Sequence, residues 1–487
     1  MHSHPKSRWQ LTTNRLLTAI VFIGVFAMAI RYPAGADTWW HLRAGEWMLD
    51  HGQILTTDVF SFTRAGTPWI DHGWLAQLFW AGIFRLGGWT LLGLTLATIV
   101  TATFAIVWKV SEGNIFVKAF AVILAASASS IIWTARPQML SFLFTAIALM
   151  LLENFRRRGK SLLPAFPLLV LVWVNVHGGF AIAFILLGMY LAGAVFSFQF
   201  SVFSGQVKKL WVVLGVSLLV VPLNPNGWQM WLYPFRTVGI GALSAFIAEW
   251  QSPDFHMPIV QVFLLLVLLL IAAIARSGKR TDWTDLALFG GWLTLSLFAV
   301  RNVAIFAVVS VPLLARYGSA ALESQFGSLP FARPKPVSSK MAAVNWVLLG
   351  LLLFAAVARS VAVLSPAAIS AAEREQFPAD TVAFIRENHP AGNMFNSYNI
   401  GGYLLYQLYP DYPVFVDGRT DLYDDAFLRQ YLRVLNGDGW EDVFRQHNIR
   451  LAVVESDAPL ARALTESGWV KRYYDADTPW AVFSSPE

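Results

Sequence analysis

Long apolar segments alternate with short polar turns through the first three quarters of the chain. A helix needs roughly 17–25 apolar residues to cross a bilayer core about 30 Å thick, and eleven segments are near this length or somewhat shorter. They cover residues 16–31, 89–108, 118–134, 138–154, 162–176, 180–200, 210–222, 258–275, 284–300, 303–316 and 342–364. The pattern predicts a polytopic α-helical membrane protein with about eleven transmembrane helices.

The composition agrees with this interpretation. Of the 487 residues, 56% are hydrophobic and 14% are charged, whereas soluble proteins carry about 25% charged residues. The chain has no cysteine, which excludes disulfides, a thiol nucleophile and cysteine-ligated zinc.

The basic residues sort to one side of the predicted membrane. They cluster at residues 6–15, 156–160, 208–209, 276–280 and 333–340. Short loops rich in Lys and Arg stay in the cytoplasm, so we expect a cytoplasmic N-terminus and an extracytoplasmic C-terminal part. The first apolar run could alternatively be a signal peptide cleaved near Ala36. Asp37 emerges outside in both cases.

The same plan predicts two long outside loops, at residues 32–88 and 223–257. Residues 74–86 have apolar positions at helical spacing with polar interruptions, which favours an amphipathic helix lying in the membrane interface. The inside segment 317–341 contains several prolines and is expected to be a flexible connector.

A change in charge marks a second domain. Basic residues exceed acidic ones by 14 in residues 1–365, whereas acidic residues exceed basic ones by 8 in residues 366–487. Because the basic residues lie in inside loops, they do not indicate a nucleic-acid partner. Alternating patterns in the tail predict a soluble α/β domain with a small, mostly parallel sheet. The predicted strands are 394–395, 414–416, 451–454 and 481–483, and the predicted helices are 380–387, 426–435, 440–447 and 460–467.

The first outside loop holds the strongest candidates for catalysis. Asp37 and His41 are four residues apart and would share a helix face. Such a pair can act as a general base, bind phosphate or ligate a divalent cation. Asp71, which His72 follows directly, could supply a second acidic group facing Asp37. The alternative is structural, with Asp37 and Asp71 as helix caps.

Other polar residues of the outside face are candidates for substrate binding. Arg136 and Arg301 are isolated in apolar sequence, and a guanidinium binds phosphate with two hydrogen bonds. The alternative is that both arginines lie at helix ends and only extend their long side chains to the membrane–water interface. His177, beside two glycines, and Glu249, at the end of the second outside loop, could orient a substrate or complete a metal site.

The tail carries a further candidate binding region. Tyr398 lies in the stretch Asn396–Tyr403, and Asp417 and Arg419 follow the apolar run 414–416. Ligands bind at strand ends in α/β folds. Ordinary turns use the same Gly, Asn and Asp residues.

The stretches DTWWHLRAGEW, TPWIDHGWLAQ, ARPQMLSF, VNVHGGF, NSYNIGGYLLYQLYP and VFVDGRTDLY are similar to those of a large group of bacterial polytopic membrane proteins. The overall plan resembles the GT-C superfamily of membrane glycosyltransferases, which use polyprenyl-phosphate-linked sugars. The resemblance implies a GT-C-like domain over residues 1–365, a bacterial inner-membrane location and an essential acid in the first outside loop. Asp37 matches that acid best by position, and Asp71 is second. The second outside loop has no clear Asp-x-Asp pair, which leaves dependence on a divalent cation open.

The sequence therefore predicts an inverting glycosyltransferase. Its expected partners are a polyprenyl-phosphate-linked sugar, the bilayer, and a glycan, lipid or protein acceptor. Two alternatives are a transporter or flippase and a non-catalytic membrane receptor or assembly protein. Transporters usually show related halves and charges at the membrane midplane, and this chain shows neither pattern.

Overall fold

The structure is a computed structural model that describes residues 11–158, 162–197, 205–241, 247–327, 337–474 and 478–486. The helices of the part before residue 365 are α1 (Thr13–Ala29), α2 (Thr38–His51), α3 (Trp74–Val110), α4 (Ile115–Ser129), α5 (Gln138–Arg158), α6 (Ala165–Val176), α7 (Ala181–Ser197), α8 (Gly205–Val220), α9 (Gln229–Val238), α10 (Pro258–Arg276), α11 (Trp283–Phe298), α12 (Val303–Phe326) and α13 (Ser339–Val363).

The tail contains α14 (Pro366–Gln376), α15 (Ala379–Asn388), β1 (Asn393–Asn396), α16 (Tyr398–Leu408), α17 (Asp425–Leu435), α18 (Trp440–Gln446), β2 (Ile449–Glu455), α19 (Pro459–Glu466), β3 (Val470–Tyr474) and β4 (Trp480–Ser484). The four helices predicted for this domain are confirmed to within one residue at each end, as α15, α17, α18 and α19.

The chain is a polytopic helical membrane protein. In the described ranges, seven helical segments are long and apolar enough to cross a membrane, namely α3, α4, α5, α7, α10, α12 and α13 with their short 3-10 extensions. The helices α1 and α6 are apolar but shorter. The total of eleven transmembrane helices stays a prediction.

The predicted boundary between an amphipathic helix and the next span lies within α3. The helix kinks at Gly87 and Gly88, where Gly88 has φ 56° and ψ −152°. A residue with a side chain rarely adopts this conformation. The kink separates residues 74–86 from the apolar helix that follows, and the interfacial position of the first part stays a prediction.

At the end of the bundle where α5 ends and α11 begins, buried charges join three helices. Arg316 of α12 contacts Asp285 of α11 at 2.5 Å and Glu153 of α5 at 3.4 Å, and Arg156 also contacts Asp285, at 2.6 Å. The prediction of a connector at 317–341 is wrong for its first ten residues, because α12 continues to Phe326. The extended part of α12 packs against the start of α4, where the Ser319 hydroxyl accepts a hydrogen bond from the Asn114 backbone amide. This packing explains the longer helix.

The tail folds around a four-stranded sheet with strand order β1-β2-β4-β3. Only β1 and β2 are parallel, so the prediction of a mostly parallel sheet is wrong. The predicted strand 414–416 is also absent from the sheet. Val414 instead forms a bridge with Ser61 of the first outside loop, and β3, which no pattern indicated, forms the edge.

The first outside loop and the tail share one hydrophobic core. Trp39 of α2 packs against Tyr403 of α16, with ring centroids 4.8 Å apart, and against Phe377, at 5.3 Å. Phe60 and Trp69 of the loop are buried in the same cluster as the sheet residues. This shared core holds the start of α2, and therefore Asp37, at the boundary between the membrane helices and the tail.

Candidate functional site

A cavity of about 900 Å³ lies between the helix ends and the tail domain. Helices, both long loops and the tail all contribute to its wall. Eight of the residues singled out from the sequence line it: Asp37, His41, His72, Arg136, His177, Glu249, Arg301 and Tyr398. Residues more than 300 positions apart in the chain therefore converge on one site.

Arg136 connects two acidic residues of this cavity. Its Nη1 donates to Asp37 Oδ2 at 2.6 Å, and its Nη2 donates to Glu249 Oε1 at 2.5 Å. Its Nε donates to the Thr134 hydroxyl at 2.9 Å, which fixes the plane of the guanidinium. Asp37 is the N-cap residue of α2 but makes no capping hydrogen bond, so its carboxylate is turned to Arg136 instead.

The two carboxylates differ in acidity. Burial raises the pKa of Asp37, against the opposing charge of Arg136, and the nearby Glu249 carboxylate raises it further. Burial also acts to raise the pKa of Glu249, but the positive charges of Arg136 and Arg301 outweigh this effect and lower it. Asp37 is therefore the stronger base of the pair.

Arg301 is a second arginine of the cavity wall. It has no carboxylate within salt-bridge distance among the described residues, and its guanidinium lies over the Trp250 ring at 4.4 Å. Stacking on an aromatic ring orients a guanidinium while leaving its N–H groups free. Arg301 is thus placed to receive an anionic group of a ligand.

Two histidines of the wall are held neutral. Burial and nearby positive charges lower the pKa of both His41 and His177. The Gly179 amide donates to His177 Nδ1 at 3.1 Å, so the ring proton of the neutral imidazole sits on Nε2. His41 Nδ1 lies 3.3 Å from the Gln77 side-chain amide.

His72 belongs to a group that the sequence did not reveal. The Tyr233 hydroxyl lies 2.6 Å from His72 Nδ1 and 3.4 Å from Asp421 Oδ2. All three line the cavity. Asp421 ends the conspicuous stretch of residues 416–421, whereas Tyr233 lies in α9 and carried no signal.

Three residues singled out from the sequence do not line this cavity. Asp71 is 1% exposed, and its Oδ1 accepts hydrogen bonds from the Gly73 amide and the Gln77 side chain at the start of α3. Asp417 and Arg419 are fully buried and paired at 2.7 Å, and Arg419 also contacts Asp58 at 2.6 Å. These contacts join the first outside loop to the tail.

Gly418, between these two buried residues, does line the cavity. A Cβ atom at this position would overlap Asp37 Oδ1 and lie 2.9 Å from Trp40 Nε1. Trp40 Nε1 donates to Asp37 Oδ1 at 3.2 Å. The absent side chain at residue 418 thus allows the tail to approach the Asp37 carboxylate.

The donor set does not fit a divalent-cation centre. Across the described ranges, no three His, Asp or Glu side chains are grouped closely enough to hold a metal ion. The space between Asp37 and Glu249 is filled by the Arg136 guanidinium.

The arrangement of helices, loops and tail is similar to the fold of several solved structures. One similar structure is the oligosaccharyltransferase AglB from Archaeoglobus fulgidus, in complex with an inhibitory peptide and a dolichol-phosphate. It is 13% identical, with a TM-score of 0.57, and the match covers 90% of this chain and 69% of AglB. Another is ArnT from Cupriavidus metallidurans in the apo state, which is 14% identical, with a TM-score of 0.55 and coverage of 97% and 98%.

A second structure of the Archaeoglobus fulgidus oligosaccharyltransferase, tethered with an acceptor peptide containing the NVT sequon, is 14% identical. Its TM-score is 0.53, and the match covers 98% of this chain and 74% of that chain. No protein-family model and no curated protein matches the sequence. At these identities the likeness establishes a shared fold.

Proposed function

We propose that the chain is an inverting glycosyltransferase that moves a sugar from a polyprenyl-phosphate carrier to an acceptor hydroxyl on the extracytoplasmic side. The observation that carries the proposal is a cavity lined both by a partly buried acid, Asp37, and by Arg301, which has no carboxylate within salt-bridge distance among the described residues. The first supplies a base and the second supplies an anion-binding group. The dolichol-phosphate in the AglB structure supports a lipid-phosphate ligand for this fold.

In the proposed reaction, the acceptor oxygen attacks the anomeric carbon of the sugar while the bond from that carbon to the phosphate oxygen breaks. Asp37 takes the acceptor proton, and the polyprenyl phosphate leaves with the bonding electrons. Because the pKa of Asp37 is raised by burial, its carboxylate is a stronger base than an exposed aspartate. One displacement at the anomeric carbon inverts its configuration.

The two arginines have separate roles in this proposal. Arg136 is already bonded to two carboxylates and holds Asp37 in place. Arg301 binds the phosphate and stabilises the charge that develops on it as the glycosidic bond breaks. This revises the expectation that both arginines bind the donor phosphate directly.

The tail and the second outside loop close the acceptor side of the cavity. Tyr398 and Thr420, whose hydroxyl oxygens are 2.8 Å apart, line it together with Asp421. Hydroxyl and carboxylate groups suit an acceptor that carries hydroxyl groups. Asp417 and Arg419 act indirectly in this proposal, by fixing the position of Gly418.

We test the proposal with Asp37→Asn. Glycans and glycolipids lost from a deletion strain are identified by mass spectrometry, and their return is measured after complementation. Wild type is expected to restore them and Asp37→Asn to lower transfer by about 10²–10⁴-fold, the usual contribution of a general base. Asp254→Asn is the matched control, since Asp254 is an exposed carboxylate outside the cavity whose side chain bonds to His256. Full transfer by Asp37→Asn would contradict the mechanism.

A further inference from the structure

A second cavity, of about 400 Å³, lies where the C-terminal ends of α1 and α13 meet. Arg31, Tyr32, Arg359 and Gln376 contribute its polar groups. It is separate from the large cavity, although Thr134 lines both. The segment from Tyr32 to Asp37 runs between the two.

Among the described residues, the two arginines of this cavity contact backbone carbonyls and one aromatic ring. Arg31 Nη1 donates to the Ser130 carbonyl at 3.3 Å, and the guanidinium lies 5.3 Å from the Trp133 ring centre. Arg359 donates from Nε to the Ala27 carbonyl at 2.7 Å and from Nη2 to the Ile30 carbonyl at 3.3 Å. A guanidinium has five N–H donors, so each arginine keeps several donors for a ligand.

Capping of α1 by Arg359 is the simplest structural explanation, since cations stabilise the C-terminal end of a helix. Arg31 lies beyond that helix and donates instead to the carbonyl of Ser130, the C-cap residue of α4. Capping accounts for this hydrogen bond of Arg31 and leaves its other N–H donors for a ligand. Neither arginine has a carboxylate within salt-bridge distance among the described residues. Burial and the charge of Arg359 lower the pKa of Arg31, as expected for two cations without a compensating anion.

A third polar group of the cavity also lacks a partner. The Tyr32 hydroxyl is buried and makes no hydrogen bond with any described residue. A buried hydroxyl without a partner is destabilising, and a ligand oxygen could accept its hydrogen bond. Two guanidiniums, a phenol and the Gln376 amide form a set rich in donors, and no acidic side chain lines the cavity with them.

We propose that this second cavity binds the phosphate of a lipid headgroup. The lipid chains would lie along α13, where Phe354, Val357 and Val361 are 73%, 61% and 67% exposed. Arg31 and Arg359 would hold the phosphate oxygens, and Tyr32 would donate a further hydrogen bond. The site is independent of the proposed transfer reaction, because it shares no charged residue with the large cavity.

The test uses native mass spectrometry of the purified full chain in detergent. The probes are phosphatidylglycerol and a diacylglycerol with the same acyl chains, which lacks the phosphate. Wild type is expected to bind phosphatidylglycerol at least tenfold more tightly than diacylglycerol. The variant Arg31→Gln/Arg359→Gln is expected to lose most of this preference. Arg374→Gln is the control for the Arg→Gln change, since it replaces one arginine at an exposed position outside the cavity.

Competition with inorganic phosphate separates two sources of the ligand. If phosphate displaces the lipid at millimolar concentration, the site takes a free phosphate as well. If it does not, the acyl chains are required. If the double variant does not fold, Arg359→Lys replaces it in the test. Lysine keeps the positive charge but lacks the planar guanidinium that can donate two hydrogen bonds to one phosphate, so this variant is expected to bind phosphatidylglycerol severalfold more weakly. A phosphatidylglycerol preference that persists in the folded variants would overturn the proposal.

Discussion

The buried ion cluster of the tail makes the sharpest stability prediction. Arg419 donates from Nε and Nη2 to Asp417 at 2.9 and 2.7 Å, and from Nη1 to Asp58 at 2.6 Å. All three side chains are fully buried. In Arg419→Met, methionine retains much of the apolar volume but leaves two buried carboxylates without their cation. Breaking a buried ion pair from one side costs about 3–5 kcal/mol, a large part of the about 5–15 kcal/mol that stabilises a typical domain.

The free energy of unfolding of the tail can be followed by limited proteolysis in denaturant, on the full chain in detergent. The control is Arg433→Met, because Arg433 is exposed on α17 and has no salt bridge within the described ranges. Its expected effect is below about 0.5 kcal/mol. If Arg419→Met left stability unchanged but abolished transfer, the interpretation of Arg419 as a stabilising residue would be refuted. Its role would then be substrate binding, as the sequence analysis predicted.

Three further predictions concern acidity, packing and topology. Burial raises the pKa of Asp71 from 3.8 to about 7, so between these pH values the folded chain holds a proton that the unfolded chain releases. The free energy of unfolding therefore falls as the pH rises from about 3.8 through about 7. Asp71→Asn should flatten that part of the stability profile measured by thermal unfolding. Gly418→Ala should lower transfer, because its Cβ overlaps the Asp37 carboxylate, whereas Gly188→Ala, with open space around it, should retain transfer in the same complementation assay. In a chain without native cysteine, a membrane-impermeant maleimide should label Arg433→Cys but not Lys208→Cys in intact cells, and the reverse result would invert the proposed topology.

Periodicity and charge together predicted much of the architecture. Apolar runs of membrane-spanning length can be buried only as helices, since hydrocarbon supplies no partners for free backbone groups. The change from the amphipathic residues 74–86 to the apolar run that starts at residue 89 indicated where α3 bends. The acidic tail indicated a second domain of a different kind. The helices of the tail followed from their amphipathic spacing.

The sheet could not be predicted in the same way. Residues 414–416 have the β-branched composition of a strand, but Val414 pairs with Ser61, more than 300 residues away in the chain. Strand pairing depends on which backbone segments the tertiary structure brings side by side, and here it brings Ser61 of the first outside loop beside Val414. The exposed sequence of β3 gave no hydrophobic pattern to detect.

The sequence by itself determined the class of protein, because burial of long apolar runs is a local property of composition. It also pointed to Asp37, Arg136, Glu249 and Arg301 as polar residues with no place in lipid. Only the tertiary structure decided which of these meet, because their contacts depend on helix packing and on the core shared by the loop and the tail. The tertiary structure also distinguished two aspartates of the same loop. The Asp37 carboxylate lines the cavity, whereas Asp71 is buried at the start of α3.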